Sequence, residues 1–149
     1  MATVFHDTIA DHKWSTAGNW SDGVPDSADA VTVDTDVTSL IIDAAASCLS
    51  FNAAGTAGIT VSGSGALTIN GVTGDVFTLD TNVTWSHTGA IIVGTGSLEL
   101  TGAVTLAFGS ATRTFGDLTF AAHAGNYTYI ISGTGNIFGA VTQETPDAT

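Results

Sequence analysis

Ile59-Thr60-Val61-Ser62-Gly63-Ser64-Gly65-Ala66-Leu67-Thr68-Ile69-Asn70-Gly71 is the stretch on which the fold turns. It runs as alternating apolar and polar residues, a Gly-Ser-Gly corner, a second alternating run and a closing Gly. A period of two sends one set of side chains inward and the threonines outward, as in a half-buried strand. Glycine suits the corner because it adopts positive φ without a Cβ clash. The pattern returns as Ile91-Ile92-Val93-Gly94-Thr95-Gly96-Ser97-Leu98-Glu99-Leu100-Thr101-Gly102 and, shortened, as Tyr129-Ile130-Ile131-Ser132-Gly133-Thr134-Gly135-Asn136-Ile137-Phe138-Gly139. The pair Leu49-Ser50-Phe51-Asn52-Ala53-Ala54-Gly55 and Leu118-Thr119-Phe120-Ala121-Ala122-His123-Ala124-Gly125 also matches, each ahead of a copy. The corner glycines at 63, 94 and 133 stand 31 and 39 residues apart. Each unit has too few apolar residues to enclose a core alone, so the units are expected to stack and share one.

Outward from this stretch, similar short runs bounded by Gly, Ser and Asn are expected as strands around Ala30–Val33, Ser39–Ile42, Leu49–Phe51, Ile59–Ser62, Ala66–Ile69, Val76–Leu79, Val83–Trp85, Ala90–Val93, Ser97–Leu100, Val104–Phe108, Arg113–Phe115, Leu118–Phe120, Tyr127–Ile131 and Asn136–Phe138. No window carries a helical 3.6 period, and eighteen glycines would weaken any helix. The expected fold is all-β: a right-handed β-helix (β-solenoid) with an N-terminal cap. The uneven repeat spacing leaves a β-sandwich or jelly roll as the alternative. The 149 residues suit one domain, divided into an N-terminal arm and cap over 1–29 and a repetitive domain over 30–149.

Charged residues make up 11% of the chain, far under the usual ~25%, so the polar surface must come from Thr, Ser, Asn and Gly. Two basic residues, Lys13 and Arg113, stand against fourteen acids, a formal charge of −12. That excludes nucleic-acid binding, which needs a basic patch to neutralise phosphates, and argues against anionic membrane surfaces. Eight of the acids (Asp7, Asp11, Asp22, Asp26, Asp29, Asp34, Asp36 and Asp43) fall in the first 43 residues. They read as a solvated cap that keeps the protein soluble, with a Ca²⁺ site or a basic partner as the sharper alternatives. Cys48 is alone and cannot form an intrachain disulfide; its strand-like neighbours make it a small packing residue. No apolar run is long enough to span a membrane. Met1-Ala2-Thr3-Val4-Phe5-His6-Asp7 has neither the basic nor the apolar region of a signal peptide. An extracellular composition without an export signal fits a virus particle component, or a segment of a larger secreted protein.

Trp14-Ser15-Thr16-Ala17-Gly18-Asn19-Trp20-Ser21-Asp22-Gly23-Val24-Pro25-Asp26-Ser27-Ala28-Asp29-Ala30-Val31-Thr32-Val33 leads into the first strand. This segment resembles the entry of large bacterial surface and secreted β-helix proteins of the autotransporter-passenger and adhesin type. The resemblance implies a β-helix cap and a surface-exposed life; it brings no catalytic residues. Outside this segment it extends only to composition and repeat style. Trp14 and Trp20 are suited to closing the open end of a β core and shielding strand edges.

Chemistry-bearing residues are sparse. A glycosidase needs two carboxyls about 5–10 Å apart, whereas Asp75, Asp80 and Glu99 stand singly at turns and exposed strand positions. His6, His12, His87 and His123 lack metal-ligand spacing. Asp22, Asp26 and Asp29 could lend oxygens to Ca²⁺ but form no EF-hand loop. No Gly-x-Ser-x-Gly elbow opens a helix, and Gly63-Ser64-Gly65 lacks the helix that phosphate binding requires. Asn19-Trp20-Ser21, Asn82-Val83-Thr84 and Asn126-Tyr127-Thr128 match the glycosylation pattern by chance in a Thr-rich chain. Trp85, Tyr127 and Tyr129 read as strand-packing residues rather than sugar platforms.

The expectation is therefore a non-enzymatic virion structural protein without a cofactor: a phage capsid decoration, head-fibre or spike component at the virion surface. Its partner would be viral coat protein or a second copy in a homo-oligomer such as a trimer. The contact is expected through Val4, Phe5, Ile9, Trp14 and Trp20, apolar residues with no place in the repeats. The alternative is an extracellular or cell-surface adhesin fragment that binds a surface glycan.

Overall fold

The computed structural model describes residues 1–53, 58–79, 83–101, 105–107, 113–114, 116–121, 130–132, 136–137, 139 and 141–143. The alternating runs form short strands that succeed one another in triplets. After β1 (Ala2–Phe5) come β2 (Ala30–Val33), β3 (Ser39–Ile42) and β4 (Ala46–Cys48), then β5 (Ser50–Ala53), β6 (Ile59–Gly63) and β7 (Leu67–Ile69). They are followed by β8 (Asp75–Leu79), β9 (Val83–Trp85) and β10 (Ile91–Val93), then β11 (Ser97–Leu100), β12 (Thr105–Ala107) and β13 (Arg113–Thr114). The last are β14 (Leu118–Phe120), β15 (Ile130–Ser132), β16 (Asn136–Ile137) and β17 (Val141–Gln143). From β2 onward each strand pairs in parallel with the strand three places along the chain. This builds a first sheet β1-β2-β5-β8-β11-β14-β17, a second β3-β6-β9-β12-β15 and a third β4-β7-β10-β13-β16. The chain is a β-solenoid. Its parallel ladders rule out the sandwich and jelly-roll alternative, whose sheets are antiparallel.

Period-two patterning decides which residues fill the coil. Ile59 and Val61 are buried around exposed Thr60, and Ile91 and Val93 around exposed Ile92. Parallel pairing then stacks like on like. Val31, Phe51, Phe77, Leu98 and Leu118 form one interior column of the first sheet. Leu40, Val61, Trp85 and Leu106 form another in the second. Fully burying such a side chain is worth about 1.5–3 kcal/mol, so the shared core, not any one turn, stabilises the stack.

Register also sets the repeat length. Ala30 pairs with Ser50 and Phe51 with Phe77, so a coil takes between 20 and 26 residues. The 31- and 39-residue spacings read from the sequence are not coil lengths. The first and third copies of the glycine motif run from the second sheet into the third, as β6–β7 and β15–β16; the middle copy, β10–β11, runs from the third into the first. The motif describes a corner, and corners recur on more than one edge.

At these corners backbone passes close over backbone. Gly63 has φ +106°, and a Cβ on Gly65 would lie 2.0 Å from the Ala44 carbonyl oxygen. The buried His87 places Nε2 2.7 Å from the Gly65 carbonyl oxygen, one coil back. The corner at 70–74 is longer. It leads into a register shift between β8 and β11, where Ser97 faces Asp75 but Leu98 faces Phe77, and the extra residue, Val76, is buried.

Candidate functional site

Residues 1–29 close the N-terminal end of the coil. β1 adds a parallel strand to β2, and its own outer edge is covered by Trp20 and Ser21: the His6 N–H donates to Asn19 O (2.8 Å) and the Ser21 N–H to Val4 O (3.0 Å). The edge of β3 is covered by residues 12–14, with the Trp14 N–H donating to Ile41 O (2.9 Å) and the Ile41 N–H to His12 O (2.7 Å). Unpaired strand edges invite pairing with other chains, and the cap occupies them.

An aromatic chain continues the cap into the core. Phe5 meets Trp20 edge-on at 4.8 Å, as does Trp14, and Trp14 stacks at 6.2 Å on Phe51, which touches Phe77 and Trp85. The Trp20 indole N–H donates to Trp14 O at 2.7 Å. Of the five residues expected to meet a partner, Phe5, Trp14 and Trp20 are thus core residues, 0%, 1% and 6% exposed. Val4 is half-buried, and Ile9 is 58% exposed.

Ile9 stands on an unusual loop. Asp7, Ala10 and His12 all have left-handed φ, at 53°, 58° and 61°, a conformation that costs roughly 1–2 kcal/mol per non-glycine residue. Side chains hold it. Asp7 accepts from the His12 backbone N–H (2.9 Å) and pairs with His12 Nδ1. The buried Asn19 accepts from the Ile9 N–H and donates to Asp11 and to Lys13 O.

The acids of this end are engaged rather than simply solvated. Asp29 Oδ1 lies 3.2 Å from the Met1 amine, and its Oδ2 accepts from the Asp26 N–H. Asp34 Oδ2 pairs with His6 Nδ1 at 2.7 Å. Asp43 takes both the N–H and the hydroxyl of Ser15, at 3.1 and 2.6 Å. Asp11 takes the Thr16 hydroxyl at 2.7 Å. Each of the four is held below the usual carboxylate range: Asp11 first by Thr16, Asp29 first by the Asp26 N–H and then the amine, and Asp34 first by His6. At Asp43 desolvation works the other way and is outweighed by Ser15. Sequence reasoning missed Asn19, Asp11, Asp34 and Asp43 as organisers; a signal was present in the crowding of Asp beside Ser, Thr and Asn in a chain otherwise poor in charge.

The other candidates lie apart. Glu99 is in register with Thr78 and Thr119, so threonines, not a second carboxylate, flank it across the sheet. Asp80, His123, Tyr127 and Tyr129 fall outside the described residues. Trp85 is buried and presents no ring to a sugar, and the Asn19 side chain is buried and fully bonded, closed to glycosylation. Burial pushes the Cys48 thiol up to about 12. Asp22 and Asp26 are exposed while Asp29 is tied to Met1, and among the described residues no three His, Cys, Asp or Glu side chains converge on a metal-sized site. No helix among them is long and apolar enough to cross a membrane. A groove of about 340 Å³ runs beside the long corner, lined by Leu49, Ser50, Gly71, Val72, Thr73 and Val76. Comparison with protein-family models, curated proteins and solved structures gives no match.

Proposed function

We propose that the chain is a non-enzymatic structural protein of a virion surface, a capsid decoration, head-fibre or spike component that attaches through its N-terminal cap. The observation that carries this reading is the coil itself. Its interior is filled by side chains, its strands present Thr, Ser and Asn outward, and one end is finished by a folded cap. Such a body is a stiff spacer, suited to holding a surface away from a particle. With Phe5, Trp14 and Trp20 committed to the core, the attachment surface is the outside of the cap, where Ile9 stands out on its braced loop. Coat protein or a second copy is the partner in this reading.

Labelling with a specific antibody in electron micrographs of the native source tests it. Gold at regular positions on virus particles supports it, and label confined to a cell envelope overturns it. The second outcome would favour an adhesin, the reading suggested by residues 14–33, whose likeness to adhesin entry segments coincides with the cap seen in the structure.

A further inference from the structure

We propose that residues 1–13 form a lid whose hold on the first coil is reinforced by carboxylates, and that acid loosens this lid while the coils stay folded. Two side-chain ties reach the lid from the start of the first coil, Asp29 to the Met1 amine and Asp34 to His6, and a third, Asp43 to Ser15, fastens the chain just beyond it. Two more brace the segment from within, Asp7 to His12 and Asp11 to Lys13, Thr16 and Asn19. The remaining charged groups here are Lys13, whose charge favours the ionised forms of Asp11 and Asp43, Asp26 beside Asp29, Asp22 on Ser21, and Asp36 in the corner of Asp34.

Each of these side-chain ties has a carboxylate on one side. They add to the backbone ladder of β1 on β2 and the Ile41 N–H to His12 O bond, which acid leaves in place. Their loss therefore weakens the lid and raises how often it opens. An imidazole can donate from Nδ1 in its neutral as well as its charged form, so protonation of the carboxyl is what weakens the Asp34–His6 tie. Asp11, Asp29, Asp34 and Asp43 titrate below the usual range in the folded chain. The stability they contribute is therefore complete above the ordinary carboxylate pKa of about 3.9 and is lost as pH falls through their lowered values. The coils beyond bury no carboxylate among the described residues: their interiors are aliphatic and aromatic apart from Cys48 and His87, the latter on the Gly65 carbonyl. Within the lid, Phe5 is the one apolar side chain given fully to the core, and the strained backbone at Asp7, Ala10 and His12 relaxes once the side chains let go. Trp14 and Trp20, beyond the lid, remain as the plug.

Thiol labelling tests this directly. Thr3 is buried on the inner side of the lid, opposite Val31, and Cys48 in the first coil, so Thr3→Cys carries a reporter for each. Labelling by 4,4′-dithiodipyridine is followed from pH 7 to pH 3, normalised to free cysteine at each pH, with far-UV circular dichroism in parallel. The expected result is a rise of at least tenfold in the position-3 rate below about pH 4, with Cys48 protected and the dichroism unchanged. In the same background Asp29→Asn/Asp34→Asn/Asp43→Asn should show the fast rate at pH 7; if the triple variant does not fold, the Asp34→Asn single variant, with a smaller rise, takes its place. Joint exposure of both thiols in acid, continued protection of position 3 at pH 3, or an Asn variant that labels like its parent overturns the proposal.

Discussion

Phe51 is where the cap and the coils meet. Its ring is fully buried and touches Trp14 on one side and Phe77 and Trp85 on the other. Phe51→Ala should cost about 3–5 kcal/mol, read as a lowered denaturant midpoint, because it leaves a cavity among the rings of Trp14, Phe77 and Trp85. Gly65 tests the opposite failure, crowding. Its Cβ would meet the Ala44 carbonyl, which is backbone and cannot swing aside. Gly65→Ala should destabilise by about 1–3 kcal/mol, measured in the same way, and a neutral result would show that the corner can widen. The composition of the core was legible at these positions, since alternation marks Phe51 as inward. The partners of the acids were not. Asp34 meets His6 across 28 residues and Asp43 meets Ser15 across another 28, and nothing local in a sequence reports such pairs.

Strands succeed or fail here by a one-residue register. Ile59 is buried and its neighbour Thr60 exposed. Ile59→Ala should cost about 2–5 kcal/mol, while Thr60→Ala should stay within about 0.5 kcal/mol. Equal losses in paired chemical melts would contradict the inward–outward assignment. The strands expected at Ala30–Val33, Ser39–Ile42, Val83–Trp85, Ser97–Leu100 and Leu118–Phe120 are found with those bounds. The run expected at Leu49–Phe51 begins on a corner: β4 ends at Cys48, Leu49 turns outward, and Ser50 and Phe51 open β5. A one-residue corner leaves no Gly, Pro or Asn to mark it. β1 was missed for a different reason. Thr3 is buried between apolar neighbours because Ser21 closes over it, so the alternation that identifies a strand is absent.

The molecule as a whole is asymmetric along its axis. Eight of the fourteen acids lie in its first 43 residues, and several join the cap to the first coil. The later coils are tied by backbone ladders and small hydroxyls, such as Thr88 Oγ1 to Gly63 O at 3.2 Å and Thr95 Oγ1 to Val72 O at 2.7 Å. The stacked architecture was legible because Gly-rich corners recur and no unit can enclose its own core. The coil length was not, since a corner motif shared by different edges mimics a longer repeat. Parallel pairing also separates partners widely in sequence, and folding that depends on distant pairing is slow. Refolding from denaturant should therefore take milliseconds to seconds or longer, as stopped-flow tryptophan fluorescence would show; completion within microseconds would contradict the topology.

The direction of the ladders has a mechanical consequence. Hydrogen bonds between coils run along the solenoid axis, so tension applied between the chain ends loads the coils in series, each through the bonds to its neighbour. Stretching should peel coils away singly rather than shear the whole stack at once. Each coil of 20 to 26 residues would release on the order of 70–90 Å of contour. A single-molecule force trace would then be a train of small, nearly even steps, the behaviour of a shock absorber rather than of a brittle rod.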